Sequence, residues 1–315
     1  MVRKITSLFI LLLFISGVQA QEFDKKKVVD QLAEIMNRNY VFPDKGKEMH
    51  DLIMRKLENG SYDNIETQQA LARALERDLR FVQNDKHIRV RYSPERVEAM
   101  SSGNQRNENR GPKTYGFEEV LVLEGNIGYL DLRGFAGIGP AEETARKAMD
   151  LLIQQDAIIF DLRQNGGGSP SMIRFISSYL FGEEPVHLNT FYWRPDDRYE
   201  ESWTMPDQVT MHKPDIPIYV LTSDYTFSAA EEFTYNLKNL KRATIIGETT
   251  RGGAHPGGPM VINQGFFVNV PQGKAINPIT KTNWEGVGIE PNIAVSQELA
   301  LDKAIELAEK ALGLK

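Results

Sequence analysis

From Tyr115 onward, apolar runs of strand length alternate with amphipathic stretches of helical length. The apolar runs are NIGYLDLRGF, AIIFDLRQN, IPIYVLTSD and ATIIGETT, and the helical stretches are AEETARKAMDLLIQQ, SAAEEFTYNLKNL and QELALDKAIELAEKALG. Alternation of this kind is typical of a largely parallel sheet covered by helices. The sequence therefore predicts an α/β domain over 115–315, in which MVINQGFFVNVPQG forms a hairpin.

Residues 21–92 have a helical period instead. Three stretches carry apolar residues spaced along one helical face, namely DKKKVVDQLAEIMNRNYV, KGKEMHDLIMRKLENG and ETQQALARALERDLRFV. Short loops between amphipathic helices favour a small bundle, so we expect a three-helix bundle that ends in the strand-like NDKHIRVRY. The polar residues 93–114, rich in Ser, Asn, Arg and Gly, predict a mobile linker or surface loop.

The first twenty residues have the pattern of a secretory signal peptide. A basic start at Arg3 and Lys4 precedes an apolar run, and a small-x-small pattern ends at Ala20. The alternative is an uncleaved anchor, but the apolar run is short for a membrane span. We therefore expect export to the periplasm or the medium and, after cleavage, no stable membrane span.

The composition argues against a nucleic-acid partner and against stabilisation by disulfides. The formal net charge is −6, and phosphate binding requires clustered Lys and Arg, so a nucleic-acid partner is not expected. The chain has no cysteine, so an exported form must depend on its core rather than on disulfides. The sequence does not indicate an oligomeric state.

Ser228 lies where an apolar strand gives way to a helix, in YTFSAAEEF. Ligands of open α/β sheets gather at the carboxyl ends of the strands, which favours a nucleophile at this position. Serine is also a preferred N-cap, so a purely structural role is the alternative. A serine nucleophile needs a base, and the candidates are the five histidines, His50, His87, His187, His212 and His255.

A second strand runs directly into Gly166–Gly168, in FDLRQNGGGSP. Glycines allow a sharp turn that points backbone N–H groups outward, and such groups stabilise the oxyanion of acyl transfer. We expect the N–H groups of Ala229 and of Gly167 or Gly168 to form an oxyanion hole. The alternative is a flexible turn. The run does not fit the phosphate-binding patterns GxxxxGK[ST] or GxGxxG.

DLRQNGGG, YTFSAAEEF, IIGETTRGGAH and WEGVGIEPNI occur in this order. This succession resembles the S41 peptidases, which include the C-terminal-processing proteases, the tricorn core protease and the interphotoreceptor retinoid-binding proteins. The helical start followed by NDKHIRV resembles the tricorn and retinoid-binding branch. The resemblance implies a crotonase/Clp-protease-like catalytic domain. There is no room for a PDZ domain between His87 and Tyr115.

The resemblance also assigns roles. It implies Ser228 as the nucleophile, His87 as its base and Glu285 as the carboxylate that orients the base, with Glu231 and Glu248 as rivals for that last role. The C-terminal-processing branch uses a lysine base where this chain has Gly253, and Arg251 nearby holds its proton too tightly to replace it. Tricorn has a serine before its histidine, where this chain has Lys86.

These inferences predict an exported serine endopeptidase that acts on polypeptides without a metal or an organic cofactor. The alternative is a non-catalytic protein that binds a lipophilic ligand or a peptide, as the retinoid-binding relatives do.

Overall fold

The computed structural model describes residues 23–103 and 114–314. The predicted signal peptide, 1–20, lies outside these ranges. The helices are α1 (Lys25–Asn39), α2 (Pro43–Glu58), α3 (Gln68–Val82), α4 (Pro94–Ser102), α5 (Ile138–Leu152), α6 (Pro170–Leu180), α7 (Ala229–Asn239) and α8 (Ala300–Ala311). The first six strands are β1 (Arg89–Tyr92), β2 (Phe117–Leu123), β3 (Ile127–Leu132), β4 (Ala157–Asp161), β5 (His187–Trp193) and β6 (Arg198–Trp203). The others are β7 (Ile218–Thr222), β8 (Thr244–Gly247), β9 (Gly257–Val261), β10 (Phe266–Pro271), β11 (Gly273–Ile276) and β12 (Ile293–Ala294).

A six-stranded sheet in the order β12-β8-β7-β4-β3-β2 forms the centre of the α/β region. Its neighbours are parallel except β2, which is antiparallel to β3 at one edge. Every residue of β4 and β7 is buried, because both faces of the sheet are covered. This burial explains why these strands appear in the sequence as continuous apolar runs rather than as an alternation.

Alternate side chains of each strand enter different cores. Ile158 and Phe160 of β4 pack with α5, α6 and α7 on one face, whereas Ile159 packs with α8 on the other. The two cores follow from the period of two residues along a strand. The predicted α/β class is confirmed.

The three predicted N-terminal helices are present, and they share one core with a small sheet. That sheet has the order β1-β10-β9, so the predicted hairpin, β9 and β10, packs on the helices rather than on the central sheet. β1 pairs with β10 from Arg89–Asn269 to Tyr92–Phe266. This pairing connects the end of the helical region to the hairpin of residues 257–271 and fixes the loop just before β1.

The predicted linker is not all loop. Ser93 caps α4, and its side chain accepts a hydrogen bond from the Arg96 N–H, while Gly103 ends the helix in the left-handed conformation. The expectation of a linker or loop is therefore wrong for 94–102, which is helical. Pro94 at the first turn and a serine cap are ordinary helix-start signals. Within the ranges that the structure describes, no helix has both the length and the apolar composition needed to cross a bilayer.

Candidate active site

Ser228 follows β7 by a short loop and precedes the first residue of α7. Its backbone has φ 57° and ψ −119°, a conformation that a residue other than glycine rarely adopts. Such strained residues concentrate at functional sites, at a cost of about 1–3 kcal/mol each. The Ser228 N–H donates to Glu231 Oε2 at 2.8 Å, and the Phe227 N–H donates to the Asn165 carbonyl at 3.1 Å. These hydrogen bonds stabilise the turn that places Ser228 at the cleft.

His87 enters the site from the loop between α3 and β1. Its Nε2 lies 3.0 Å from Ser228 Oγ, and its ring packs against Phe227 with 4.5 Å between the ring centroids. Burial lowers the pKa of His87 to about 4, although the charge of Asp85 partly opposes the effect. The imidazole is therefore neutral near pH 7, the state that can accept a proton from a serine hydroxyl.

Asp85 is the carboxylate closest to the second ring nitrogen of His87, at 3.8 Å from Nδ1. It is fully buried, and its Oδ1 accepts the backbone N–H of His87 at 2.9 Å. Oδ2 lies 2.7 Å from His255 Nδ1 and accepts the Tyr40 hydroxyl at 3.2 Å. Burial would raise the pKa of Asp85, but the bond from His255 and the nearby imidazoles outweigh burial and lower it.

The hydrogen bond that the His87 ring was expected to donate to Glu285 is not formed. Glu285 Oε2 instead accepts the Ala254 N–H at 2.6 Å, while Glu285 Oε1 and His87 Nδ1 are both buried without a partner among the described residues. Glu285 still belongs to the cluster, since donor atoms of Asp85, His87 and Glu285 lie within 4.8 Å of one another. Three such donors could hold a metal ion, although both oxygens of Asp85 already accept hydrogen bonds.

Sequence reasoning missed Asp85 and His255. Asp85 lies two residues before His87, and an acidic residue so close to a candidate base was the available signal. His255 was considered only as a base, whereas it lies buried behind Asp85. The other three histidines have partners outside this cluster: His50 contacts Asp51, His187 contacts Asn189 and Thr190, and His212 contacts the Ser178 carbonyl.

Glu231 forms hydrogen bonds with two loops, the turn at Ser228 and residues 250–253. Its carboxylate accepts hydrogen bonds from four groups, which are the N–H groups of Ser228, Gly252 and Gly253 and the hydroxyl of Thr250. Burial raises its pKa to about 6 against the effect of these bonds. Glu231 thus positions the turn at Ser228 instead of orienting His87. Glu248, the other rival, accepts from the Gln297 N–H outside this cluster.

One of the expected oxyanion donors is wrong. The Gly167 N–H already donates to Asn165 Oδ1 at 2.8 Å, so it is not free for a substrate. Gly168 and Ala229 line the cleft that contains Ser228, and their N–H groups have no acceptor among the described residues. Gly168 has φ +145°, and a Cβ there would lie 2.0 Å from the Phe135 carbonyl oxygen. Only glycine fits this turn.

Gly253 lies directly against the His87 and Phe227 rings. A Cβ on Gly253 would lie 2.2 Å from Cε2 of Phe227 and 2.8 Å from Cε1 of His87. Non-bonded carbon atoms pack at about 3.5–4.0 Å, so a side chain at this position would displace one of the rings. The space in which the resemblance places a lysine base is thus filled by the histidine.

Lys86 and Arg251 lie at the edge of the site, and their side chains form no hydrogen bond with Ser228 or the His87 ring. The Lys86 ammonium donates to the carbonyl oxygen of Arg251, and the Arg251 guanidinium lies 5.7 Å above the Phe227 ring. Lys86, at the position where tricorn has a serine, therefore joins two loops.

Comparison with known proteins identifies the family. The family model described as peptidase family S41 matches residues 126–295, which is more than half of the 315 residues. The chain belongs to peptidase family S41. It is accordingly a serine-type peptidase, and polypeptide is its substrate class. A second model, described as the N-terminal domain of peptidase S41 in eukaryotic IRBP, matches residues 22–119 of this S41 peptidase.

Solved structures share the fold along nearly the whole chain. A candidate peptidase from Parabacteroides merdae is 21% identical, with a TM-score of 0.64 over 91% of this chain and 97% of that one. A lipoprotein from Streptococcus agalactiae is 15% identical, with a TM-score of 0.64 over 96% and 99%. The photosystem II D1 C-terminal processing protease is 15% identical, with a TM-score of 0.59 over 93% and 98%. At these identities the likeness establishes the fold.

Proposed function

We propose that this S41 peptidase is an exported endopeptidase that cleaves polypeptides through an acyl-enzyme, with Ser228 as nucleophile and His87 as base. The observation that best supports the proposal is the 3.0 Å distance between His87 Nε2 and Ser228 Oγ at a strained turn. A neutral imidazole at hydrogen-bonding distance activates serine, which is a weak nucleophile on its own.

In the first half of the reaction, His87 Nε2 takes the proton from Ser228 Oγ while Oγ bonds to the substrate carbonyl carbon. The resulting oxyanion accepts hydrogen bonds from the N–H groups of Gly168 and Ala229. The proton then passes from Nε2 to the leaving nitrogen as the C–N bond breaks. Water, deprotonated by the same imidazole, hydrolyses the ester and restores the Ser228 hydroxyl.

A fluorophosphonate tests this assignment, because it labels a serine only when a base has activated it. We expect the wild-type protein to be labelled at Ser228 and Ser228→Ala to remain unlabelled. Peptide mapping of the adduct identifies the residue. A folded wild-type protein that stays unlabelled would support the alternative, a non-catalytic binder, which the match of 22–119 to the IRBP domain favours.

Glu285 is expected to make the rate depend on pH near neutrality. Burial and the charge of Asp85 raise its pKa to about 7, so its carboxylate becomes charged as the pH rises through that value. The new negative charge near His87 favours the imidazolium that forms in the transition state. We expect kcat to rise from about pH 6 to about pH 8 in the wild type, whereas in Glu285→Gln it stays flat over this range. An identical rise in both proteins would assign the titration to another group.

Export is supported by the N-terminal pattern and by the likeness to a lipoprotein. We expect N-terminal sequencing of the secreted protein to give Gln21 or its cyclised form, because Ala20 ends the small-x-small pattern. Recovery of a form that starts at Met1 from the membrane fraction would instead indicate an uncleaved anchor.

A further inference from the structure

The cleft that contains Ser228 has a chemically mixed wall. Gly168 and Ala229 supply free N–H groups, Phe191 and Trp284 supply aromatic rings, and Glu232 supplies a carboxylate. We consider the two N–H groups as the donors to the oxygen of the scissile carbonyl. The substrate residue that contributes this carbonyl, called P1, then lies beside the cleft. The P1 side chain is then the part of the substrate that enters it.

Glu232 is a buried acid with one carboxylate oxygen that accepts no hydrogen bond from the described residues. Its side chain lies one helical turn after Ser228 in α7, and the residue is 3% exposed. Glu232 Oε1 makes no hydrogen bond with any described residue, and no ion pair between described residues involves Glu232. A buried carboxylate in this state costs free energy that a ligand can recover by pairing with it.

Two amides accompany this acid. The side chains of Asn189 and Asn236 lie beside Glu232 and favour its charged form, yet their nitrogen and oxygen atoms have no partner with hydrogen-bonding geometry among the described residues. Burial dominates, however, and raises the pKa of Glu232 to about 8. The site therefore combines an acid whose ionisation is opposed by burial with amide groups that no described residue satisfies.

We propose that Glu232 is the specificity-determining residue of this peptidase and that its pocket selects a cationic P1 side chain, lysine or arginine. The inference rests on the proposed function, since it requires the carbonyl to be bound at Gly168 and Ala229. A cation would favour ionisation of the Glu232 carboxylate and pair with it, close to the rings of Phe191 and Trp284 that line the same cleft.

The reach agrees with this choice, and the cleft, about 50 Å³ in volume, has room for the charged end of such a side chain rather than for all of it. Four residues of α-helix separate Ser228 from Glu232 and rise about 6 Å along the axis, a span that an extended lysine or arginine side chain covers. An acidic P1 residue would form no ion pair with Glu232. An aliphatic P1 residue would seal a polar acid and two amides away from water without satisfying them.

The test uses peptides that differ only at P1, with lysine, arginine, glutamine, leucine or glutamate at that position. For the wild-type protein we expect kcat/KM for lysine and arginine to exceed that for glutamine and leucine by about 100-fold, the usual effect of a buried charge pair. Glu232→Gln should reduce this preference to within about threefold, whereas Glu143→Gln, on the exposed surface of α5, should leave it unchanged. Equal rates for all P1 residues in the wild type would overturn the inference, even if Glu232→Gln does not fold.

Benzamidine and its neutral analogue benzamide separate this inference from the proposed function. We expect calorimetry on Ser228→Ala to detect benzamidine binding at least about tenfold tighter than benzamide, with the difference lost when Glu232→Gln is added. Binding of this kind without any peptide hydrolysis would contradict the peptidase mechanism and leave the cation pocket standing. Hydrolysis of neutral-P1 peptides without benzamidine binding would do the opposite.

Discussion

Replacement of His87 by alanine is expected to lower kcat/KM for peptide hydrolysis at least about 10³-fold, because general bases contribute about 10²–10⁴ and Ser–His units often more. The imidazole Nε2 is 3.0 Å from Ser228 Oγ, whereas the His255 imidazole is bonded to Asp85 and the Glu285 carboxylate accepts the Ala254 N–H. Steady-state kinetics and the rate of fluorophosphonate labelling should fall together, because both depend on an activated hydroxyl.

Arg251→Ala is the matched control for this change. The guanidinium also lies near Phe227, but its contact with Lys86 is made by the backbone carbonyl, which alanine retains. We expect its kcat/KM to stay within about threefold of the wild type, as for most surface substitutions. A greater loss in folded Arg251→Ala than in His87→Ala would show that the wrong base was assigned.

Replacement of Asp85 by asparagine is expected to lower kcat about 10²-fold or more and to leave KM nearly unchanged. Asp85 is a positioning residue, because it accepts the backbone N–H of His87 and lies 3.8 Å from His87 Nδ1 but does not line the cleft. Its negative charge favours the protonated imidazole, the form that develops in the transition state. An amide carries no charge, and its nitrogen cannot accept the bond that one carboxylate oxygen now accepts.

Asp78→Asn separates catalytic positioning from stability. Asp78 is also a buried aspartate of the helical region, where it accepts from Lys56 and Tyr62 away from the site. Both variants should unfold at lower denaturant concentration than the wild type, but only Asp85→Asn should lose kcat. Equal kcat values at equal loss of stability would reduce Asp85 to a structural role.

Strands β3, β4, β7 and β8 and helices α1–α3, α5, α7 and α8 could be predicted from the sequence because their signals are local. Helix α6 and the sheet of β5, β6 and β11 were not predicted. The apolar run from Ile218 to Thr222 and the helical spacing of 25–39 each report which faces are buried. The approach of Ser228 to His87 was suggested by a resemblance, since 141 residues separate them and no periodicity connects them. Helix α4 was missed because its polar sequence buries no residue and depends on its cap.

The errors at the site have a common physical cause. Which glycine N–H is free depends on the turn of the backbone, and Asn165 uses the one at Gly167. Which carboxylate lies nearest His87 depends on the packing of loops from both ends of the chain, where Ala254 binds Glu285 and His255 binds Asp85. A sequence motif identifies the residue types present but does not determine the hydrogen bonds between them.

The contact between Gly253 and His87 also bears on how such enzymes can diverge. Because a Cβ at Gly253 would lie 2.2 Å from the Phe227 ring and 2.8 Å from the imidazole, a lysine can be acquired there only if one of these rings moves. If the histidine moved away, Ser228 would lose this base. A change from one base to the other therefore requires repacking around Phe227 and His87, which favours the persistence of the two mechanisms as separate lineages.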